Sequence, residues 1–467
     1  MVKKLTVHIT LSLWAFISLM MAPAAGIHAQ VKPDMTWFKE AKFGLFLHWG
    51  LYSETAGDWN GRPTRGGEHF MLYERIPVKT YATIADRFNP VGFDADAWVK
   101  QAKSAGMKYI VYTAKHHDGF AMYRSEVSDY NIVKKTPYQK DPLAALAEAC
   151  RKYDLKLCLY YSLGRDWEDP DVPTNWPVKA GRSNTWDFPD EDAKVFNRYF
   201  ERKVKPQIRE LLTHYGPIGV LWFDTPELIS KKESAELRSL VTQLQPQCLV
   251  NSRIGGGYGD FSISEQTLDP SSKKAWESCM TIGNNWGYNR HDSTWKSSEM
   301  LVRNLINVVA NHGNLLLNVG PMGNGEFPDW AVKRLDTIGE WMKKNGEAIT
   351  GTSPYIVTFE GYRKEEIRAD DQNTMKDAVH DATPKTTLPD VFYTTKGKVV
   401  YALLRSWKMP SVTLASLKGK QVRSVKLLGS SKKVKQVQTA DGLEVTLPAG
   451  FEKVNRIPVY TLKIELE

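Results

Sequence analysis

Seven or eight times between Phe43 and Lys344, a short apolar run rich in β-branched and aromatic residues ends on charged or aromatic groups and then passes into a segment of helical period. The sharpest case is Ile218–Phe223, set between Gly216-Pro217 and Pro226. It is too short for a helix and ends on Asp224. Phe43–Leu47 runs into His48-Trp49, Tyr109–Thr113 into Lys115-His116-His117, and Cys248–Asn251 into Ser252-Arg253, while Asn314–Val319 follows a helix stopped at Gly313. Because the polar groups always come after the strand, the alternation predicts an α/β fold: a (β/α)8-like TIM barrel, irregular at its closing strand, with its chemistry at the C-terminal rim.

From about Tyr355 the pattern changes to short runs such as Lys398–Leu404, Ser424–Leu428 and Tyr460–Leu466, separated by Gly, Pro and Lys turns. An antiparallel β-sandwich over residues 351–467 is expected to follow a barrel over residues 30–350. Ahead of both, Lys3 and Lys4 precede an apolar run, Leu5–Met21, and small residues around Ala24 and Ala29. That is the layout of a signal peptide over residues 1–29, cleaved after Ala24 or Ala29, which implies export to the periplasm or beyond and no stable membrane insertion. The long connection Leu51–Pro77 reads as unstructured and functional.

The formal net charge is +9. Basic residues are interspersed with acids along most of the chain, and the nearest thing to a cluster, Lys432-Lys433-Val434-Lys435, reads as a solvated turn. Without a basic helix, zinc-finger spacing or RNP-like run, nucleic acid is not expected as a partner. Cys150, Cys158, Cys248 and Cys279 have no paired metal spacing and read as buried free thiols.

Gathered at one rim, the candidates are His48 and Trp49, His116 and His117, Tyr160, Trp222 and Asp224, Arg253, Glu265, Glu277 and Trp286. Aromatic rings offer flat platforms to the C–H faces of a sugar, and His, Arg and Asp make directional hydrogen bonds to hydroxyls, so this rim suits a neutral carbohydrate better than a phosphate. Two carboxylates are the minimum for cleaving a glycoside. Asp224, on a rigid strand, suits the nucleophile. Glu265, after the glycine-rich loop Gly255–Gly259, suits the acid/base, with Glu277 as the alternative. A zinc hydrolase is disfavoured because the first strand has no His-x-His and because adjacent His116 and His117 would point to opposite sides of a strand. No metal or cofactor is expected.

The motifs FGLFLHWG (Phe43–Gly50), KHHDGF (Lys115–Phe120), LYYS (Leu159–Ser162), LWFD (Leu221–Asp224), NSR (Asn251–Arg253), WESCMTI (Trp276–Ile282), WGYN (Trp286–Asn289) and NLLLNVGP (Asn314–Pro321), in this order over about 300 residues, resemble the α-L-fucosidases of glycoside hydrolase family 29. The resemblance implies an exported retaining enzyme acting on fucosylated glycans, with Asp224 as nucleophile. It also implies that His48, His116, His117, Tyr160, Trp222 and Arg253 hold the sugar and that Trp286 lies near its methyl group. Where many relatives have Glu-Trp this chain has Glu68-His69, which keeps the carboxylate and changes the ring. Ile263-Ser264 precede Glu265 where many bacterial members have Thr-Pro. An α-L-galactosidase, or a fucose-binding protein without activity, are the alternatives the sequence leaves.

Overall fold

The computed structural model describes residues 33–173, 184–268, 275–364 and 387–467; the expected signal segment lies outside them. Eight strands form one curled parallel sheet. In chain order they are β1 (Phe43–Leu47), β2 (Tyr109–Lys115), β3 (Lys156–Ser162), β4 (Val220–Asp224), β5 (Leu249–Val250), β6 (Ser262–Glu265), β7 (Trp276–Thr281) and β8 (Gly313–Val319). Neighbours run β5-β4-β3-β2-β1-β8-β7-β6, so the sheet curls back on itself and its two ends are consecutive strands. Seven joints are hydrogen-bonded ladders; the eighth, between β5 and β6, is the single bridge Asn251–Phe261. The connection there holds only a short 3-10 turn, Ser252–Ile254, and a run of glycines, so no crossover helix backs the seam.

Most of these strands are buried on both faces, as a parallel sheet covered by helices must be. Inward side chains fill the barrel: Phe46, Val111, Tyr160, Trp222, Cys279 and Leu316 share one cluster, closed below by Phe38 of the first helix, Thr36–Ala41, whose ring lies 4.3 Å from that of Phe261. Gly44 is required there, since a Cβ would stand 2.4 Å from the Tyr109 ring.

Local chemistry sets the outer helices. Asp141 caps Pro142–Tyr153 by accepting from the N–H groups of Leu143 and Ala144, with proline at the first turn where no N–H is needed. Ser230 and Glu233 form a reciprocal capping box on Lys231–Leu244. The amphipathic run from Asp192 to His214 does not form one helix: it folds as Phe196–Tyr199, a π turn over Phe200–Val204, and Lys205–His214. Pro206 has no N–H for the carbonyl of Arg202, and the turn ahead of it widens. The connection Leu51–Pro77 is not structureless either. Leu51, Tyr52, Phe70 and Met71 anchor it in the core, and it folds into helices Leu51–Thr55 and Phe70–Tyr73 around a 3-10 turn, Gly67–His69.

The C-terminal part has two antiparallel sheets. One holds β9 (Ser353–Lys364), β10 (Thr387–Lys396), β11 (Val399–Leu404), β13 (Val422–Leu427) and β16 (Tyr460–Leu466) in the order β9-β10-β11-β16-β13; the other holds β12 (Ser411–Leu414), β14 (Lys435–Gln438) and β15 (Leu443–Thr446) in the order β12-β15-β14. Val391, Tyr393, Val400 and Ala402 pack with Leu414, Leu443 and Val445 between the sheets. The opposite face of the larger sheet, Phe392, Tyr401 and Leu403, belongs to the barrel's outer core. This explains why Val399–Leu404 is continuously apolar: both faces of its sheet are covered. All four cysteines are free and buried, and no helix among the described residues is long and apolar enough to cross a membrane.

Candidate active site

A cavity of about 400 Å³ opens at the C-terminal ends of the strands. At its centre is Asp224, the last residue of β4. Its Oδ1 accepts from Arg253 Nη1 at 2.6 Å and from the Thr225 N–H at 2.9 Å, and its Oδ2 accepts from the Tyr160 hydroxyl at 2.8 Å. Burial by itself would raise the carboxyl's pKa, but the Arg253 charge and the Tyr160 hydrogen bond outweigh it and hold the group below its usual range. Asp224 is therefore a fixed anion. Thr225 adopts the left-handed region at φ 55°, unusual for a β-branched residue, and in doing so presents its N–H to Asp224. Its carbonyl passes so close to Gly164 that a Cβ there would meet it at 2.1 Å.

Arg253 also pairs with Glu265, so one guanidinium touches both carboxylates while lying over the Trp222 ring. Glu265 is the more open of the two acids, its side chain 41% exposed against 15% for Asp224. It was expected on a loop. It is the last residue of β6, where backbone pairing to β7 fixes its Cα.

The histidines are held as neutral acceptors. Asn318 donates from Nδ2 to the Trp286 carbonyl at 2.7 Å, which leaves its Oδ1 to accept from His48 Nδ1 at 2.7 Å and leaves His48 Nε2 bare. In the same way Ser162 donates to the Arg165 carbonyl at 2.8 Å and accepts from His117 Nδ1 at 2.6 Å. His117 Nε2 then lies 3.7 Å from Asp224 Oδ2, a gap between two acceptors that suits a hydroxyl donor. Burial depresses the pKa of all three histidines, with their mutual repulsion adding to the effect at His116 and His117. His116 Nδ1 is buried with no partner among the described residues. Such an orphaned atom is costly unless a ligand satisfies it.

Glu68 reaches the cavity from the 3-10 turn. It accepts from the Gly287 N–H and from His69 Nδ1, each at 2.9 Å, and although burial opposes ionisation, these contacts hold its pKa low. His69 also lines the cavity, its ring 5.2 Å from that of His117. Trp286 packs on His48 with ring centres 5.0 Å apart, and beside it Phe46 adds an apolar wall.

Two expectations fail on orientation. Trp49 is fully buried outside the cavity among Phe88, Phe93 and Trp98, its Nε1 donating to the Met322 carbonyl at 3.0 Å, because the side chain after His48 turns to the opposite side of the chain. Trp49→Ala is expected to cost about 3–5 kcal/mol of stability with kcat of the folded fraction unchanged; denaturant unfolding and active-site-normalised rates check it, with Trp49→Phe as the milder variant. His116 and His117 both face the cavity, since β2 ends at Lys115 and the chain leaves the pleat in a turn closed by the Gly119 N–H on the His116 carbonyl. Among the described residues no group of three or more His, Cys, Asp or Glu is arranged to hold a metal ion.

Glu277 does not reach the cavity. It points inward from β7, as Cys279 does two residues on, but one layer deeper, where it accepts from the Tyr109 hydroxyl at 2.5 Å and from Trp222 Nε1 at 2.8 Å. It supports the indole beside Asp224 from below. Burial pushes its pKa up to about 7, against 4.5 in an unfolded chain, with the two hydrogen bonds opposing. The folded protein thus holds this proton more tightly than the unfolded chain, so the stability it confers is complete below pH 4.5 and is lost as pH rises to about 7. Unfolding free energy is expected to decline by about 3 kcal/mol across that window from this group, and Glu277→Gln should flatten the decline in urea titrations run at pH 5 and 7.5.

Arg165, Thr225, Pro226 and Glu227 also line the cavity and were not anticipated. Their only signal in the sequence is position, within three residues of a strand end. Beneath them Lys115 and Lys203 share Asp166 at 2.9 Å each, all three buried, Lys203 reaching in from the π turn. The Trp167 N–H donates to the His117 carbonyl at 2.7 Å, so this charge cluster ties the histidine turn to the Arg165 loop.

The family model described as Alpha-L-fucosidase matches residues 24–347, and that described as Alpha-L-fucosidase C-terminal domain matches residues 384–465. The plasma alpha-L-fucosidase of Homo sapiens is 31% identical over 412 residues, 79% of this chain and 76% of that protein. Among solved structures, alpha-L-fucosidase isoenzyme 1 from Paenibacillus thiaminolyticus superposes with a TM-score of 0.77 at 33% identity, covering 93% of this chain and 98% of that one. Alpha-L-fucosidase AlfC from Lactobacillus casei, in complex with alpha-L-fucose product, does so with a TM-score of 0.64 at 40% identity, covering 66% of this chain and 98% of that one.

Proposed function

We propose that this chain, which belongs to the α-L-fucosidase family, glycoside hydrolase family 29, removes terminal α-L-fucose from fucosylated glycans with retention of configuration. Asp224 attacks the anomeric carbon as Glu265 gives its proton to the departing glycosidic oxygen; the bond to that oxygen breaks and a fucosyl ester of Asp224 forms. Water then attacks the same carbon, its proton passing to Glu265, and free Asp224 returns. The observation that carries this reading is Arg253 gripping both carboxylates at the mouth of a cavity walled by neutral imidazoles and indoles. Carrying a proton requires Glu265 to leave Arg253, and its exposure gives it room to do so.

Bare His48 Nε2 and His117 Nε2, the orphaned His116 Nδ1 and the Glu68 carboxylate supply the hydroxyl partners. Phe46 and Trp286 offer an apolar wall to a methyl group. The pairing of Asp224 and Glu265 through Arg253 at the cavity speaks against a sugar-binding protein without activity. Proton NMR of 4-nitrophenyl α-L-fucopyranoside hydrolysis tests the reading: α-L-fucose should appear first and mutarotate later, whereas the β-anomer first would overturn retention. A chelator should leave the rate undiminished. Export rests on the layout of residues 1–29, and the N-terminal sequence of the mature protein checks it.

A further inference from the structure

The net charge of +9 is not spread over the molecule. Residues 387–467 carry fourteen Lys and Arg against six Asp and Glu, so eight of the nine excess charges lie in the C-terminal sheets and the rest of the chain is nearly neutral. Residues 391–440 contain eleven basic residues and not one carboxylate. The interspersion of acids and bases read along the chain fails over this stretch.

The densest part, residues 418–435, has a definite shape. It enters by the turn holding Lys418 and Lys420, follows β13, an edge strand bearing Arg423 and Lys426, and leaves by the turn holding Lys433 to reach Lys435 on β14, the edge of the second sheet. Gln438 Nε2 donates to the Leu417 carbonyl at 3.2 Å, fastening the far end of β14 beside the start of the belt. With six residues of β13 between its ends, the belt is about 20 Å long. These six cations and Lys432, whose Nζ donates to the Ala449 carbonyl at 2.6 Å, are exposed, and none of the seven has a carboxylate partner among the described residues. Lys426 even faces Lys463 across the ladder, a like-charge pairing that costs stability unless an anion lies near; Lys463 has Glu347 at 2.8 Å and Lys426 has no such partner among the described residues. Edge-strand lysines also prevent sheets from pairing with one another. That purpose is served by a few charges of either sign, and it does not account for the exclusion of acids from fifty residues.

A row of unpaired cations along an exposed edge fits an extended polyanion. The aromatic residues of this stretch, Phe392, Tyr393, Tyr401 and Trp407, are buried, so bases of a single-stranded nucleic acid would find no ring to stack on. Its exposed apolar side chains, Met409 and Val437, are isolated and give a bilayer little to bury. We propose that the C-terminal domain docks an acidic polysaccharide along residues 418–435, holding a sulfated or carboxylated polymer while the barrel removes fucose. The choice of polymer rests on the glycosidase reading; the docking surface does not.

The test uses the full-length protein with dextran sulfate and polygalacturonate as probes, uncharged dextran as control, and the variant K418Q/K420Q/K433Q/K435Q, checked for folding by its unfolding midpoint. At about 0.15 M NaCl the wild type should bind at least one charged polymer at least about tenfold more tightly than the variant, with a shallower salt dependence in the variant. Hydrolysis of 4-nitrophenyl α-L-fucopyranoside should be the same in both. Preference between the two polymers identifies sulfate or carboxylate as the recognised group. Equal binding by wild type and variant, equal binding to uncharged dextran, or tighter binding to an oligonucleotide or to phosphatidylserine vesicles would overturn the proposal. A wild type that binds the polymer but hydrolyses no fucoside would overturn the glycosidase reading and leave the docking surface standing.

Discussion

Asp224→Ala is expected to lower kcat for 4-nitrophenyl α-L-fucopyranoside about 10⁴-fold or more, because in the proposed mechanism the group lost is the one that forms the new bond. Arg253 and Tyr160 remain to bind the sugar, so KM should move far less than kcat. The vacated space also gives the experiment a second readout. Azide entering there attacks the anomeric carbon directly, from the face opposite the leaving group, and the product should be β-L-fucosyl azide, inverted by a single displacement. Near-normal turnover in the variant, or no inverted azide, would remove Asp224 from the nucleophile's role.

Glu265→Ala should behave differently with the same substrate. Nitrophenolate leaves without help from a proton, so the fucosyl-enzyme still forms, but water without a base attacks it slowly. Turnover should fall about 10²- to 10⁴-fold after a burst of nitrophenolate. Azide needs no base, and it should restore turnover and yield α-L-fucosyl azide, retained because two displacements have occurred. Fucosylated oligosaccharides, whose leaving alkoxides need the proton, should suffer more than the nitrophenyl substrate. Unchanged kinetics would move the acid/base role elsewhere. Glu277 is then a poor successor, since it lies beneath Trp222, whereas Glu227 is exposed and lines the same cavity.

What could be read without coordinates followed the physics of parallel strands. Apolar runs that end on polar groups located β1, β2, β3, β4 and β8 and put His48, His116, His117, Tyr160, Trp222 and Asp224 at one rim, because such a sheet leaves only its C-terminal ends free for chemistry. Three things were not legible. Which way a side chain turns once the strand has ended depends on the loop, and this misplaced Trp49 and separated the two adjacent histidines that in fact share a cavity. Depth along a strand is equally silent: Glu277 and Cys279 have the same parity, yet the cavity stops between them. Finally, β6 is only four residues long and follows the glycine-rich loop after a two-residue gap, so Glu265 reads as part of that loop. Arg253 was legible as a sugar ligand, but its grip on two acids at once depends on how far its side chain reaches, which the chain order of the strands does not announce.

The single bridge between β5 and β6 has a mechanical corollary. Arg253 follows one of these strands and Glu265 ends the other, so their ion pair laces the joint that backbone pairing leaves slack. Asp224 stands on β4, inside the laddered part of the wall, whereas Glu265, the proposed proton carrier, rides on the strand beside the slack joint. Undoing that lace, as the proposed proton transfer demands, would free Glu265 and loosen the barrel's least-paired joint in the same act.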